Sequence, residues 1–137
     1  MKQCTYISLL IALLTLSNIF CFAQTQSEMN EAACQEAKKA DVELNDTYQR
    51  ILKDYKQDAL FIKKLKTAQR AWVVFRDAHL ESLYPKENKR VEYGSVYPTC
   101  HCNEIAALTK RRTEELKRWV QGIEEGDVCA GSIKTNK

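Results

Sequence analysis

Histidine occurs only twice in the chain, at His79 and His101. Neither sits in a motif that joins a nucleophilic Ser or Cys to a base and an orienting acid. No Gly-rich loop of the kind that cradles phosphate is present. The adjacent carboxylates Glu114-Glu115 and Glu124-Glu125 fall on helix faces left to solvent, not across a cleft. Catalysis therefore has no supporting motif, and no catalytic residue, cofactor or metal ligand is assigned. A large excess of one charge is missing too. Lys and Arg number 21 against 18 Asp and Glu, a mixed surface without the clustered excess that nucleic acid requires. Beyond the N-terminal segment no apolar run is long enough to cross a bilayer, so no membrane partner is expected once that segment is removed.

That N-terminal segment has its own logic. Met1-Lys2-Gln3 is a short basic start, and "ISLLIALLTLSNIF" is apolar but too short for a confident span. "CFA" then supplies small residues at the cleavage positions. Residues 1–23 read as a secretory signal peptide cut after Ala23. Acylation of Cys21 ranks below this, because "NIF" lacks the small residue expected before a lipidated cysteine. Residues 24–137 remain, 114 residues with a net charge of +2. That length makes one domain with its own core. The setting is a bacterial periplasm or exterior. Four cysteines survive cleavage, Cys34, Cys100, Cys102 and Cys129. An even count in an exported chain reads as disulfides, with three possible pairings.

Helical periodicity dominates what is present. Ala33, Ala37, Ala40, Leu44, Tyr48, Ile51 and Tyr55 recur at gaps of four and three, with no Gly or Pro among them. Thr25 and Glu28 have capping-box spacing. A second helix follows Asp58, a plausible N-cap. Its stripe is Phe61, Leu65, Ala68, Trp72, Phe75, His79 and Leu83, and Tyr84-Pro85 ends it. The connection between the two is short enough to force antiparallel packing. A third helix runs from about Asn103 to Gln121 through Ile105, Leu108, Arg112, Leu116 and Trp119, and Gly122 or Gly126 stops it. The expected fold is all-α, a disulfide-stapled antiparallel three-helix bundle with one long loop between the second and third helices. Within that loop "RVEYGSVY" has the composition of a short strand or hairpin. The tail "DVCAGSIKTNK" is expected to be irregular except where Cys129 anchors it.

Two arginines sit on apolar stripes, Arg76 in "QRAWVVFRD" and Arg112. Counting helical rise from the turn near Gln57 puts Asp41 and Arg76 within about 5 Å of the same height, at roughly 1.5 Å per residue. Asn45 and Gln69 also match in height, and Arg112 lies within a turn of that level. Asp41, Asn45, Gln69, Arg76 and Arg112 are thus expected to form a structural polar layer that fixes helix register, since a buried guanidinium needs partners. The alternative is that the surplus positive charge receives a partner's carboxylate.

Up-down-up geometry places Cys34 near Cys100 and Cys102, so one bond joins Cys34 to that pair. Cys129 follows the far end of the third helix. Either the tail doubles back to bring it up, which is the preferred reading, or it stays free or pairs between chains. "CHC" with His79 also invites a soft-metal reading, but its spacing is not that of a structural zinc site, and the exported setting favours disulfides.

The same residues resemble the LprI-like lysozyme-inhibitor domain. "MNEAACQEAKKADVELNDTY" matches its opening through Met29, Asn30, Cys34, Asp41, Leu44, Asn45 and Tyr48. "QRAWVVFRDA" matches its second motif through Gln69, Trp72, Phe75, Arg76 and Asp77. "YGS" and "LTKRRTEEL" match its third through Gly94, Ser95, Leu108, Thr109, Arg112 and Leu116. The resemblance covers nearly the whole mature chain and implies a small secreted helical domain. It implies a binding protein and not an enzyme, with lysozyme or another periplasmic protein as partner. Family members often carry a cysteine just after the second motif, where this chain has Leu80, so no pairing carries over. A muramidase cleft holds two carboxylates. The candidate partner-binding loop runs from Lys86 to His101, with Lys86, Lys89, Arg90, Tyr93, Ser95, Tyr97 and His101 offering charge, hydroxyls and aromatic anchors. An ordinary connector is the competing reading of this loop. The alternative function is a non-inhibitory envelope-stress or protein-interaction module.

Overall fold

A computed structural model describes residues 25–135. The expected signal peptide and its cleavage after Ala23 lie outside the described residues. Four helices follow one another, with no strand among the described residues: α1 (Gln26–Asp54), α2 (Ala59–Leu83), α3 (Lys89–Tyr93) and α4 (Tyr97–Gln121).

The start of α1 is a capping box. The Glu28 N–H donates to Thr25 Oγ1 at 3.2 Å, and the Thr25 N–H donates to the Glu28 carboxylate at 2.7 Å. Each of these satisfies a donor that helix geometry leaves over. The stripe read from the sequence is the buried one: Ala33, Ala37, Ala40, Leu44, Ile51 and Tyr55 are buried, and Tyr48 is half-buried. Its upper half is all alanine. There α1 lies close against α4, whose Ala106, Thr109 and Thr113 are also small and buried. Cys34 and Cys102 close this end with a disulfide, Cα to Cα 4.9 Å. Lower down the residues enlarge, and Leu44, Ile51, Tyr55, Leu65 and Leu116 form the core, with Phe61, Ile62, Trp72 and Trp119 packed on it.

Asp58 caps α2 by accepting the Phe61 N–H at 2.9 Å. α2 reaches the other helices mainly through long side chains. Its buried residues are Leu65 and Leu80. The expected stripe is therefore rotated in its second half: Phe75 is 57% exposed and Leu83 45%, while Leu80 points inward. The reason is that Gln69, Trp72 and Arg76 take the inner face.

Two boundaries differ from expectation. α4 starts at Tyr97, six residues before Asn103, with Pro98 in its first turn. A proline is tolerated there because its missing N–H is one the first turn does not use. The connection after α2 is correspondingly shorter. Its "KRVEY" forms α3, where a strand or hairpin was expected, ended by Gly94 at φ +74°.

α4 ends at Gly122, also at positive φ. The tail then turns back, with an isolated bridge between Ile123 and Thr135 and with Ile133 buried. The Tyr55 hydroxyl donates to the Trp119 carbonyl at 3.2 Å and accepts the Lys134 N–H at 3.1 Å. The tail is anchored there and not by Cys129, which is exposed and unpaired, as is Cys100. Only one of the expected disulfides forms within the chain. Cys100 lies at the start of α4, whose 25 residues span about 37 Å, and the tail spends its return on the opposite end.

Candidate partner-binding surface

The segment from Lys86 to His101 is held at both ends. On the α1 side Asn30 organises it. Its side-chain N–H donates to the Ser95 carbonyl at 3.1 Å, and its Oδ1 accepts the Thr99 N–H at 3.2 Å and the Thr99 hydroxyl at 2.6 Å. Gln26 donates to the same Oδ1 at 3.0 Å. The Cys34–Cys102 bond lies one turn of α1 further along. Asn30 belongs to the opening motif but was given no role from sequence. The available signal was its position, since it continues the stripe of Ala33 and Ala37 by one step of three.

On the α2 side the anchor is a tyrosine cluster. Tyr84 meets Tyr93 and Tyr97 edge to face, with ring centroids 5.3 and 5.1 Å apart, and Tyr97 packs on His101 at 5.4 Å. Such edge-on contacts suit the aromatic quadrupole. Partial burial pushes the Tyr84 hydroxyl above its ordinary pKa. The backbone N–H of Lys86 donates to the Tyr93 hydroxyl at 3.2 Å.

The seven loop candidates therefore fall into two groups. Lys89 turns inward, to the Tyr84 carbonyl and to Glu81 at 2.8 Å, and its hydrogen bond to Glu81 raises its pKa. Tyr93, Tyr97 and His101 are half-buried in the cluster. Lys86, Arg90 and Ser95 are exposed. Arg90 and Ser95 line a shallow surface pocket with Gln26, Ser27 and Asn30. Sequence reading passed over two exposed apolar residues of the same surface, Val91 (75% exposed) and Val96 (44%).

The five polar-layer candidates gather as two neighbouring groups. The Arg76 side chain, 20% exposed, lies 4.0 Å from the Asp41 carboxylate, 2.9 Å from Asp77 and 5.4 Å from the centre of the Trp72 ring. Asn45 donates to Asp41 at 3.2 Å. The Arg112 side chain, 14% exposed, donates to Gln69 at 3.0 Å and to Glu115 at 2.8 Å. Asp41 and Asn45 themselves are exposed. The short ion pairs to Asp77 and Glu115 were missed; both acids are near neighbours on the arginine's own helix, in "FRD" and "RRTEE". His79 stacks on Phe75 at 5.8 Å and lies 3.6 Å from Glu104. Among the described residues no three His, Cys, Asp or Glu side chains gather as a metal site. Cys102 of "CHC" is committed to its disulfide.

The arrangement is a pinned, cation-bearing surface suited to binding. A family model described as "Lysozyme inhibitor LprI" matches residues 22–116, which takes in α1, α2, α3 and most of α4 but leaves out the tail. The chain is also 32% identical over 113 residues to "Uncharacterized protein R02472" of Rhizobium meliloti (strain 1021), covering 74% of this chain and 78% of that protein. No solved structure matches.

Proposed function

The chain belongs to the LprI lysozyme-inhibitor family, and from that premise we propose that it is an exported binding protein that blocks the cleft of a lysozyme-type muramidase with the segment from Lys86 to His101. Export rests on the leader at residues 1–23, with residues 24–137 as a single domain. The scaffold is read as an antiparallel three-helix bundle. Two orders of contact support that reading. Glu36–Lys110 and Glu43–Lys117 run in the same direction along α1 and α4, while His79–Glu104 and Gln69–Arg112 run in opposite directions along α2 and α4.

The observation that carries the proposal is the pinning of the segment at both ends, by Asn30 and the disulfide on one side and by the tyrosine cluster on the other. A segment already ordered loses little conformational freedom when it enters a cleft. Lys86 and Arg90 have no acidic partner among the described residues, and a muramidase cleft offers two carboxylates. Val91, exposed next to Arg90, supplies an apolar contact. The protein acts by occlusion and turns nothing over.

One observation favours a second reading, a non-inhibitory envelope-stress or interaction module. The exposed loop is basic, and c-type lysozymes are usually basic as well, so charge gives no steering toward them. The two separate when purified residues 24–137 are titrated against c-, g- and i-type lysozymes at low and moderate salt, with lytic activity as the readout. The inhibitor reading expects saturable inhibition of at least one type, weakened about ten-fold by Arg90→Ala with Val91→Ser. Failure to inhibit any type leaves the interaction module.

A further inference from the structure

The largest collection of unpaired charge lies away from the loop, at the other end of the molecule. Between Ala59 and Phe75 every charged residue of α2 is cationic: Lys63, Lys64, Lys66 and Arg70. Lys53 and Lys56, at the end of α1, face the same hairpin end. All six are exposed, and none is in an ion pair among the described residues. The nearest acids are engaged elsewhere, Asp54 with Arg50 at 3.6 Å and Asp58 in capping α2. Lys56, Lys63 and Lys66 rim a shallow crease with Leu52, Ala59 and Ile62. Apolar side chains stand among the cations, with Leu60 69% exposed and Val74 70%.

We infer that this outer face of the α1–α2 hairpin is a docking surface for an anionic phospholipid bilayer. Three features select that partner. First, clusters of four to eight basic groups on a helical surface are what anionic headgroups attract. Second, five of the six cations are lysines. Protein interfaces are depleted in lysine and favour arginine, whose planar fork matches a carboxylate, whereas diffuse surface charge asks only for mobile point charges. Third, Leu60 and Val74 give an apolar element that enters the headgroup region and that a soluble polyanion would not reward. Hydropathy led to the expectation of no membrane contact because it detects spans, and charge-driven adsorption leaves no apolar run. The inference does not depend on the inhibitor reading, since the two surfaces share no residue.

The test is co-sedimentation of the exported protein, leader removed, with vesicles of phosphatidylcholine alone and of phosphatidylcholine mixed with phosphatidylglycerol. Binding is expected only to the anionic vesicles and is expected to weaken steeply as salt shortens the screening length. Lys63→Glu with Lys64→Glu and Lys66→Glu should lower it on the order of a hundred-fold, each basic group being worth roughly five-fold at such a surface. Circular dichroism checks that this variant folds; if it does not, the milder Lys64→Gln with Arg70→Gln should still lower binding several-fold. Equal binding to both vesicle types, or to neither, overturns the proposal. So does retention by a soluble sulfated polysaccharide without vesicle binding, which would assign the patch to a polyanion.

Discussion

Thr109 is fully buried and its hydroxyl has no hydrogen-bond partner, while one turn on Thr113 donates to the Thr109 carbonyl at 3.0 Å. A threonine serves the close approach of α1 and α4 by being small, and its β-branch fills the space that a valine would fill. Removing an orphaned hydroxyl while keeping the shape relieves a desolvation cost. Thr109→Val is therefore expected to stabilise the protein by about 1 kcal/mol, read as a higher urea midpoint at unchanged slope. Arg76 behaves in the opposite sense. Its guanidinium lies over the Trp72 ring and reaches Asp41 and Asp77. Arg76→Met keeps the packing length but abandons the charges, and a melting temperature a few degrees lower is expected, corresponding to about 1 kcal/mol. An unchanged melting temperature would show that the polar groups at this level do not hold the helices in register.

Elements meet in two different ways. α1 and α4 approach through small side chains and are laced by Glu36–Lys110 at 2.6 Å and Glu43–Lys117 at 2.8 Å. The hydrogen bond and charge of Lys110 lower the Glu36 pKa, and hydrogen bonds to Glu114 and Glu43 raise that of Lys117 to about 12. The signs are opposite. Glu36 favours the folded state above its unfolded pKa, and that contribution is lost as pH falls through the lower folded value. Lys117 favours it up to its unfolded pKa, and the contribution is lost as pH rises toward about 12. Both groups keep contact with solvent, so the effects are small and salt-screened. The expected result is that Glu36→Gln is less stable than the parent at neutral pH and indistinguishable from it in acid. Urea titrations across the acid range would reveal a persistent gap if the pair played no part. α2 lacks such lacing to α1 beyond the longer Arg76–Asp41 contact, which accounts for its broad outer face.

For the molecule as a whole the disulfide is the principal closure. Cys34 and Cys102 are 68 residues apart in sequence, and a loop of that length removes about 4 kcal/mol of unfolded-state freedom in the chain-entropy treatment. Cys34→Ser with Cys102→Ser should lower unfolding stability by roughly that amount and free the Lys86–His101 segment at one end. Residues 24–137, denatured without reductant, should titrate two thiols, Cys100 and Cys129. A titration of none would mean that these two pair with each other or between copies. The two proposed surfaces lie at opposite ends: the loop sits beside the start of α1, and the basic hairpin lies at its end. A bilayer-docked molecule would thus present its loop away from the membrane.

Much of this was legible in the chain. The α1 stripe, the Thr25–Glu28 box, the Asp58 cap, the Gly122 stop and the family motifs all depend on residues within a turn or two of one another. Local geometry decides them wherever the helix ends up. The start of α4 was missed because a proline reads equally as a loop residue or as part of a first helical turn. The choice of cysteine belonged to tertiary structure. Once "CHC" is helical, Cys100 and Cys102 point about 200° apart, so only one can face α1. Which one faces it depends on how α4 is rotated against Ala33, Ala37 and Ala40. The inward turn of Lys89, the exposure of Phe75 and the unpaired lysines of α2 were decided in the same way, by which face each helix gives to its neighbours. Sequence periodicity states that a helix has a buried face, and only packing determines where that face stops.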